Sequence, residues 1–278
     1  MSLKFMYITN DTDVALMAEA CGVDRIFVDM EYIGKSDRQG GMNTVQNRHT
    51  VDDIKRLRAV LTRSQLMVRC NPIHGSTASY TSSKEEIDAV VAAGADIIML
   101  PYFKTADEVE CFLRLVDGRA KTLLLFETPE SVEAIDSILS LRGIDEVFVG
   151  LNDLSLGYGK KFMFELLADG TVEALCLKFR QYGLPYGFGG IASLGKGLLR
   201  AERVIAEHFR LGSTCAILSR SFCLDHLSDD RESFFGKFAA ELERVRDYEA
   251  FCFKQNPSFF EENTVQVRRA VTDVVSRM

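Results

Sequence analysis

Glu146-Val-Phe-Val-Gly-Leu-Asn-Asp153 and Thr122-Leu-Leu-Leu-Phe-Glu127 are apolar runs that each end in a carboxylate. Two further runs end in charged side chains in the same way, Arg25-Ile-Phe-Val-Asp-Met-Glu31 and Leu66-Met-Val-Arg69. A charge at the end of a buried strand costs several kcal/mol unless a metal, an ion partner or a ligand compensates it. Because the pattern recurs at strand after strand, we predict a catalytic face where the carboxyl ends of the strands converge.

The order of apolar and amphipathic segments predicts a (β/α)8 TIM barrel. Short runs rich in Val, Ile, Leu and Phe are typical of parallel strands that are covered on both faces. We predict eight strands, at residues 4–9, 25–31, 66–71, 96–102, 122–127, 146–152, 185–190 and 214–220. Segments with helical periodicity fill the seven gaps, at residues 11–20, 51–61, 83–93, 105–115, 131–141, 172–182 and 197–208. An open doubly wound sheet is the alternative, but no Gly-rich phosphate loop follows the first strand.

The length of 278 residues is compatible with one barrel domain over residues 1–278, with its core at 4–220. The extension at 221–278 carries two predicted helices, 231–251 and 262–278, which exceed what the barrel needs. We expect this extension to pack on a neighbouring subunit of a homo-oligomer. Residues 32–49 form an unusually long polar connection on the predicted catalytic face, as lids and binding loops do.

The composition excludes several classes of partner. The net charge is -7, which disfavours nucleic acids and anionic membrane surfaces, since both require basic patches. No apolar stretch approaches the roughly 20 residues that span a bilayer, and the N-terminus does not resemble a secretory signal. The seven cysteines show no CxxC pair or zinc-like spacing. We therefore expect a cytoplasmic protein with reduced, mostly buried thiols.

Glu127 and Asp153 are the candidate metal ligands. They end the predicted fifth and sixth strands, which are neighbours about 4.8 Å apart. Two carboxylates at that separation repel each other, and Mg²⁺ or Mn²⁺ suits such hard oxygen ligands. The alternative for Glu127 is that it caps the helix that begins at Thr128-Pro129.

Arg69 ends the third predicted strand, where its guanidinium is suited to bind a carboxylate or a developing oxyanion. Alternatively, it pairs structurally with Asp29 or Glu31 across the second strand. Glu31 lies nearer the mouth of the barrel and is expected to orient the water molecules of the metal. We expect Asp29 to be structural.

Five sequence blocks follow one another over residues 5–220: Phe-Val-Asp-Met-Glu31, Val-Arg69, Gly94-Ala-Asp-Ile-Ile-Met-Leu-Pro101, Phe-Glu127-Thr-Pro-Glu-Ser-Val-Glu and Val-Phe-Val-Gly150-Leu-Asn-Asp153-Leu-Ser. In these blocks and their order the chain resembles the HpcH/HpaI aldolase/citrate lyase family, class II pyruvate-type aldolases of the phosphoenolpyruvate/pyruvate barrel superfamily. The resemblance implies that Glu127 and Asp153 bind a divalent metal and that Arg69 holds the keto oxygen of pyruvate or its enolate. It implies that backbone N–H groups around Asn152 and Asp153 receive the substrate carboxylate. It also implies exchange of the C-terminal helices within a hexamer.

The chain departs from the family pattern at the catalytic base. In the family a His follows the Glu that ends the second strand, whereas Tyr32 stands there in this chain. The acidic partner of that His is expected just before Gly94, where this chain has Ala93. We consider two substitutes: His49, at the far end of the long loop, and Tyr32 itself. Alternatively, His49 merely caps a helix or faces water. Lys35, Arg38 and Arg48 of this loop either meet an anionic substrate or belong to a solvated polar surface.

These residues together predict a divalent-metal-dependent carbon–carbon lyase. It would cleave a 2-keto-4-hydroxy acid to pyruvate and an aldehyde through an enolate held at the metal. One alternative is a lyase of the citrate or malyl type that acts on CoA thioesters with the same Glu, Asp and Arg. Another alternative is a metal-binding barrel that has lost aldolase activity. The absence of the family's His supports this alternative.

Overall fold

The protein is a TIM barrel, as the sequence predicts. The computed structural model describes residues 2–35, 47–219, 222 and 230–278. Parallel strands close into a barrel in chain order, with β1 also paired to β8. The strands are β1 Lys4–Ile8, β2 Arg25–Asp29, β3 Gln65–Arg69, β4 Ile97–Leu100, β5 Lys121–Phe126, β6 Glu146–Val149, β7 Tyr186–Ile191 and β8 Cys215–Leu218.

Helices surround the barrel and continue beyond it. Within the described part of the chain, no helix is long and apolar enough to cross a membrane. The helices are α1 Thr12–Ala20, α2 Val51–Val60, α3 Ser83–Ala92, α4 Ala106–Val116, α5 Pro129–Glu133, α6 Ile135–Leu139, α7 Leu151–Gly157, α8 Glu165–Ala168, α9 Thr171–Gln181, α10 Ala201–Leu211, α11 Arg231–Phe253 and α12 Pro257–Val275.

The clearest error in the predicted boundaries lies at the sixth strand. The prediction extended this strand over residues 146–152, but β6 ends at Val149 and α7 begins at Leu151. Leu151 and Leu154 are both buried at a spacing of three residues, which is a helical face rather than an extended run. Asp153 therefore lies in the first turn of a helix and not on a strand.

Other boundary differences are smaller. The predicted helix over residues 131–141 is divided near Ala134 into α5 and α6. The short helix α8 was not predicted. The predicted end of the eighth strand, Arg220, lies outside the described residues.

The interior of the barrel is apolar and is closed at its lower end by a buried ion pair. Arg25 and Glu146 are the first residues of β2 and β6. Arg25 donates two hydrogen bonds to the Glu146 carboxylate, of 2.7 and 2.6 Å. This pair lies at the opposite end of the strands from the predicted catalytic face. The barrel interior above it contains Met6, Phe27, Met67, Ile97, Met99, Leu123, Leu125, Phe148 and Cys215.

The C-terminal helices contact the barrel of their own chain. Asn263 of α12 donates to Glu207 of α10, and Arg203 of α10 donates to Asn263. The Glu249 side chain of α11 accepts a hydrogen bond from the Leu3 backbone N–H at 2.7 Å. These contacts describe how the extension packs within one chain, and its exchange within a homo-oligomer stays a prediction.

His208 is buried in α10 without a charged partner among the described residues. Its ring stacks on Phe188 of β7, with ring centroids 3.9 Å apart, and its Nδ1 lies 2.8 Å from the Ser213 hydroxyl. Burial lowers the pKa of His208 from 6.5 to about 3, because the protonated ring would lose its hydration. Between these two values the unfolded chain binds the proton and the native chain does not. Native stability therefore falls as the pH drops through this window.

We expect the free energy of unfolding to fall by about 2 kcal/mol through His208 between about pH 7 and pH 5. Urea unfolding at both pH values measures this change. The variant His208→Gln keeps a polar group opposite Ser213 but cannot titrate. Its stability should therefore depend less on pH than that of the wild type. An equal decline in both proteins would contradict the assignment.

Candidate active site

One cavity at the carboxyl ends of the strands collects most of the predicted site residues. It has a volume of about 340 Å³ and is lined by Arg69, Glu127, Asn152 and Asp153, together with Lys35. Apolar side chains from inside the barrel form its floor. These are Phe27, Met99, Leu125 and Phe148. The cavity thus combines a few polar groups with an apolar base, as small-molecule sites do.

Arg69 is held rigidly at the edge of this cavity. Its Nε and one Nη donate to the two oxygens of Asp29 at 2.9 and 2.8 Å, and its other Nη lies 3.3 Å from Glu31 Oε2. Asp29 is its direct neighbour in the β2–β3 register, and Phe27 lies under the guanidinium at 5.6 Å. The structural pairing considered from the sequence is therefore present. It fixes the direction in which the remaining N–H groups point.

The charges of this cluster stabilise each other. Burial alone would raise the pKa of Asp29, but the charges and hydrogen bonds of Arg69 and Lys35 lower it well below its ordinary value. Burial would lower the pKa of Arg69, but the charges of Asp29 and Glu31 raise it above its ordinary value. Asp29 is thus a permanent carboxylate that keeps a permanent cation in place.

Glu127 follows β5 and is buried, with 3% of its surface exposed. The capping alternative is wrong, because Thr128 is the N-cap of α5 and its side chain accepts from the Ser131 N–H. Glu127 Oε1 instead accepts a hydrogen bond from the Tyr102 backbone N–H at 3.0 Å. The carboxylate is therefore oriented by the backbone that follows β4.

Gly150 gives Glu127 its space. The register pairs Phe126 with Val149, so Glu127 and Gly150 come next on the two strands. A Cβ atom at Gly150 would lie 2.7 Å from Glu127 Oε2 and 2.8 Å from Glu127 Cβ. Both distances are shorter than non-bonded contacts of a Cβ atom. Any side chain at this position would displace the carboxylate.

We expect Gly150→Ala to lose about 10²-fold or more of the catalytic rate, because small displacements of catalytic groups have effects of that size. Steady-state kinetics checks this. Gly75→Ala is the matched control, since a Cβ there meets nothing within 4 Å. A Gly150→Ala enzyme with wild-type rates would contradict the proposed position of Glu127 in the site.

Asn152 and Asp153 reach the cavity from the first turn of α7. Asp153 is 7% exposed, and Leu151 and Leu154 on either side anchor the turn in the core. The first N–H groups of a helix have no intrahelical acceptor, so this turn offers backbone donors beside the Asp153 carboxylate.

The donor set of the cavity fits a hard divalent cation. Glu127 and Asp153 both offer carboxylate oxygens to this cavity. Among the described residues, no group of three or more His, Cys, Asp or Glu side chains forms a complete metal cage. Two carboxylates with the remaining positions left to water and substrate are the typical arrangement for Mg²⁺.

Tyr32 and His49 line a second, neighbouring cavity instead. This cavity has a volume of about 660 Å³ and also contains Glu31. Tyr32 is 45% exposed and its hydroxyl donates to Thr77. His49 Nδ1 accepts a hydrogen bond from the Asp29 backbone N–H at 3.0 Å, so this ring nitrogen carries no proton. The structure does not bring either side chain into the lining of the first cavity.

The catalytic roles of Tyr32 and His49 stay predictions. If either supplies the base, the double variant Tyr32→Phe/His49→Ala should lose turnover, because it lacks both candidate basic groups. Initial rates over a range of pH measure the effect. Wild-type rates in the double variant would reject both assignments.

Lys35 is a site residue that the sequence pattern does not single out. It shares a polar loop with Arg38 and Arg48, yet its side chain is 4% exposed and lines both cavities. Arg48 is exposed at the second cavity, and Arg38 lies outside the described residues. The only signal in the sequence was the position of Lys35 four residues after Glu31, which does not distinguish a buried lysine from a solvated one.

Comparison with known proteins identifies the family. A model of the HpcH/HpaI aldolase/citrate lyase family matches residues 5–165, more than half of the chain. The chain belongs to this family. The matched segment contains Arg69, Glu127 and Asp153, so the resemblance found in the sequence is confirmed.

Individual relatives are distant but cover most of the chain. The hydroxypyruvate/pyruvate aldolase of Sagittula stellata is 25% identical over 230 residues, which span 71% of this chain and 80% of that protein. The HpcH/HpaI aldolase of Desulfitobacterium hafniense has a TM-score of 0.60 at 16% identity, covering 88% of this chain and 93% of its own. The citrate synthase SbnG has a TM-score of 0.57 at 17% identity, covering 88% and 94%. The two structural likenesses concern the barrel fold alone.

Proposed function

We propose that this protein is a divalent-metal-dependent aldolase that cleaves a 2-keto-4-hydroxy acid to pyruvate and an aldehyde. The observation that carries the proposal is the shared cavity of Arg69, Glu127, Asn152 and Asp153 at the carboxyl ends of the strands. In TIM barrels this end is where active sites lie. The family, and a relative that is a hydroxypyruvate/pyruvate aldolase, support an aldolase or lyase.

Glu127 and Asp153 would hold Mg²⁺ or Mn²⁺, which polarises the keto group and the carboxylate of the bound acid when present. Arg69 donates N–H groups to the keto oxygen and stabilises the negative charge that develops there as the enolate of pyruvate forms. Its pairing with Asp29 means that little reorganisation is needed at that moment. The backbone donors at Asn152 and Asp153 receive the substrate carboxylate.

The apolar floor gives the enolate a suitable environment. Phe27, Met99 and Phe148 exclude water from the lower side of the cavity. Hydrogen bonds and ion pairs are stronger in such surroundings than in bulk water, so each donor near the keto oxygen has a larger effect. Aldol addition is the same reaction in the opposite direction.

Proton exchange into pyruvate tests the proposal without knowledge of the aldehyde. The protein is incubated with pyruvate in D₂O, with Mg²⁺ or Mn²⁺ or with a chelator, and the methyl signal is followed by proton NMR. We expect metal-dependent loss of the signal, because enolate formation exchanges the methyl protons. No exchange with any divalent metal would contradict the proposal and favour a barrel without aldolase activity.

A further inference from the structure

Lys35 occupies an unusual position for a lysine. It lies shortly after β2, where its backbone N–H donates to the Tyr32 carbonyl at 3.3 Å. Its side chain is nearly fully buried and lines the cavity of Arg69, Glu127 and Asp153 as well as the second cavity. Lysine is almost never buried without a compensating reason. The reason is either structural pairing or contact with a ligand.

Structural pairing uses only part of the Lys35 ammonium. Its Nζ donates to Asp29 Oδ2 at 2.8 Å and lies 3.6 Å from Glu31 Oε2. However, Arg69 already binds both oxygens of Asp29 and contacts Glu31. A second cation is therefore not needed to anchor Asp29. Its structural effect is to balance the charges, because the two carboxylates of Asp29 and Glu31 face the two cations Arg69 and Lys35.

The ammonium retains donors for a ligand. It carries three N–H groups, and within the described part of the chain its only hydrogen bond goes to Asp29. The first cavity thus has two cations, Arg69 and Lys35, that arrive from the β2–β3 side of the barrel. Glu127 and Asp153 arrive from the β5–β6 side. A substrate between them has two oxygens that need stabilisation, the keto oxygen and the oxygen at C4.

We propose that the Lys35 ammonium is a catalytic group that donates a hydrogen bond to the C4 oxygen of the substrate, which is the oxygen of the aldehyde half. The inference rests on the proposed aldolase function. In cleavage the C4 hydroxyl gives its proton to water, its oxygen becomes the aldehyde carbonyl, and the electron pair of the C3–C4 bond remains on C3 of the enolate. In the reverse reaction, aldol addition, the electron pair on C3 forms the C3–C4 bond again and the C4 oxygen takes a proton from water. The ammonium stabilises the charge on this oxygen in both directions.

Two partial reactions separate this role from a structural one. Exchange of the pyruvate methyl protons involves only the pyruvate half, whereas carbon–carbon bond formation needs the aldehyde oxygen as well. We expect Lys35→Met to reduce aldol addition of pyruvate to acetaldehyde, glycolaldehyde or glyoxylate by about 10²–10³-fold, the usual effect of losing one oxyanion donor. Exchange in D₂O should persist, and Lys35→Arg should recover part of the addition rate because it keeps a cationic donor.

The control is Lys55→Met, since Lys55 lines the second cavity but not the first and its side chain is 61% exposed. It should show wild-type rates in both assays. Equal loss of exchange and addition in Lys35→Met and Lys35→Arg would overturn the proposal in favour of a structural role. An unchanged rate of aldol addition in Lys35→Met would also overturn it. So would a wild-type protein that exchanges the pyruvate protons but catalyses no aldol addition. Covalent trapping of pyruvate on Lys35 by borohydride would also overturn the proposal, because Lys35 would then form a Schiff base. A wild type without exchange would instead refute the proposed function itself.

Discussion

Glu127→Gln and Asp153→Asn are each expected to lower metal-dependent exchange of the pyruvate methyl protons by about 10³-fold or more. Each variant replaces a carboxylate group with an uncharged amide group. The two candidate metal ligands then carry one negative charge instead of two. A cation that polarises a carbonyl group contributes several kcal/mol to the rate, and about 4 kcal/mol corresponds to this factor. The affinity for Mn²⁺, measured by titration calorimetry, should fall in parallel.

Glu130→Gln is the matched control for these variants. Glu130 lies three residues after Glu127, but its side chain is 48% exposed and pairs with Lys104 on the surface. It should therefore keep wild-type exchange and wild-type metal affinity. If Glu127→Gln retained both, Glu127 would be an ordinary buried residue that accepts a hydrogen bond from Tyr102. The metal site would then have to lie elsewhere.

Arg25→Met and Glu146→Leu are each expected to destabilise the protein by about 3–5 kcal/mol, because each leaves one buried charge without its partner. Both hydrogen bonds of the pair are short, and the Arg25 side chain is fully buried. Equilibrium unfolding in urea measures the loss. The pair lies at the lower end of the barrel, so folded variants should keep their catalytic rate.

The double variant Arg25→Met/Glu146→Leu distinguishes a lost interaction from a merely disrupted core. It replaces both charges by apolar side chains, and such replacements are often neutral or stabilising. We therefore expect it to be more stable than either single variant. Additive destabilisation in the double variant would contradict the view that the cost comes from the unpaired charge.

The barrel could be predicted from the sequence because its strands are buried on both faces. Runs such as 122–127 contain almost only apolar residues, and their ends are marked by charges. Strand β5 at Lys121–Phe126 differs from that prediction by one residue at each end. The sixth strand was extended too far because Val149, Gly150 and Leu151 continue an apolar run. Apolar character alone does not distinguish the last residues of a strand from the buried face of a short helix.

The candidate site was predictable where chemistry and position agreed. The sequence indicates Arg69, Glu127 and Asp153 because parallel strands bring their carboxyl ends together, and these residues do line one cavity. Lys35 is not distinguished by the sequence because it lies in a loop, and the burial of a loop residue depends on its tertiary contacts, such as the one to Asp29. The pairing of Arg25 with Glu146 was not visible either. These residues are 121 positions apart and meet only when the barrel closes.

The central claim is that Glu127 and Asp153 would together hold a divalent metal, which would supply Lewis-acid polarisation of the keto group of pyruvate. Anomalous diffraction from crystals soaked with millimolar Mn²⁺ and pyruvate tests it most directly. We predict one anomalous peak in contact with both carboxylates, with the keto oxygen of pyruvate within hydrogen-bonding distance of Arg69. A cavity that contains pyruvate but no manganese, or manganese bound only elsewhere, would contradict the account.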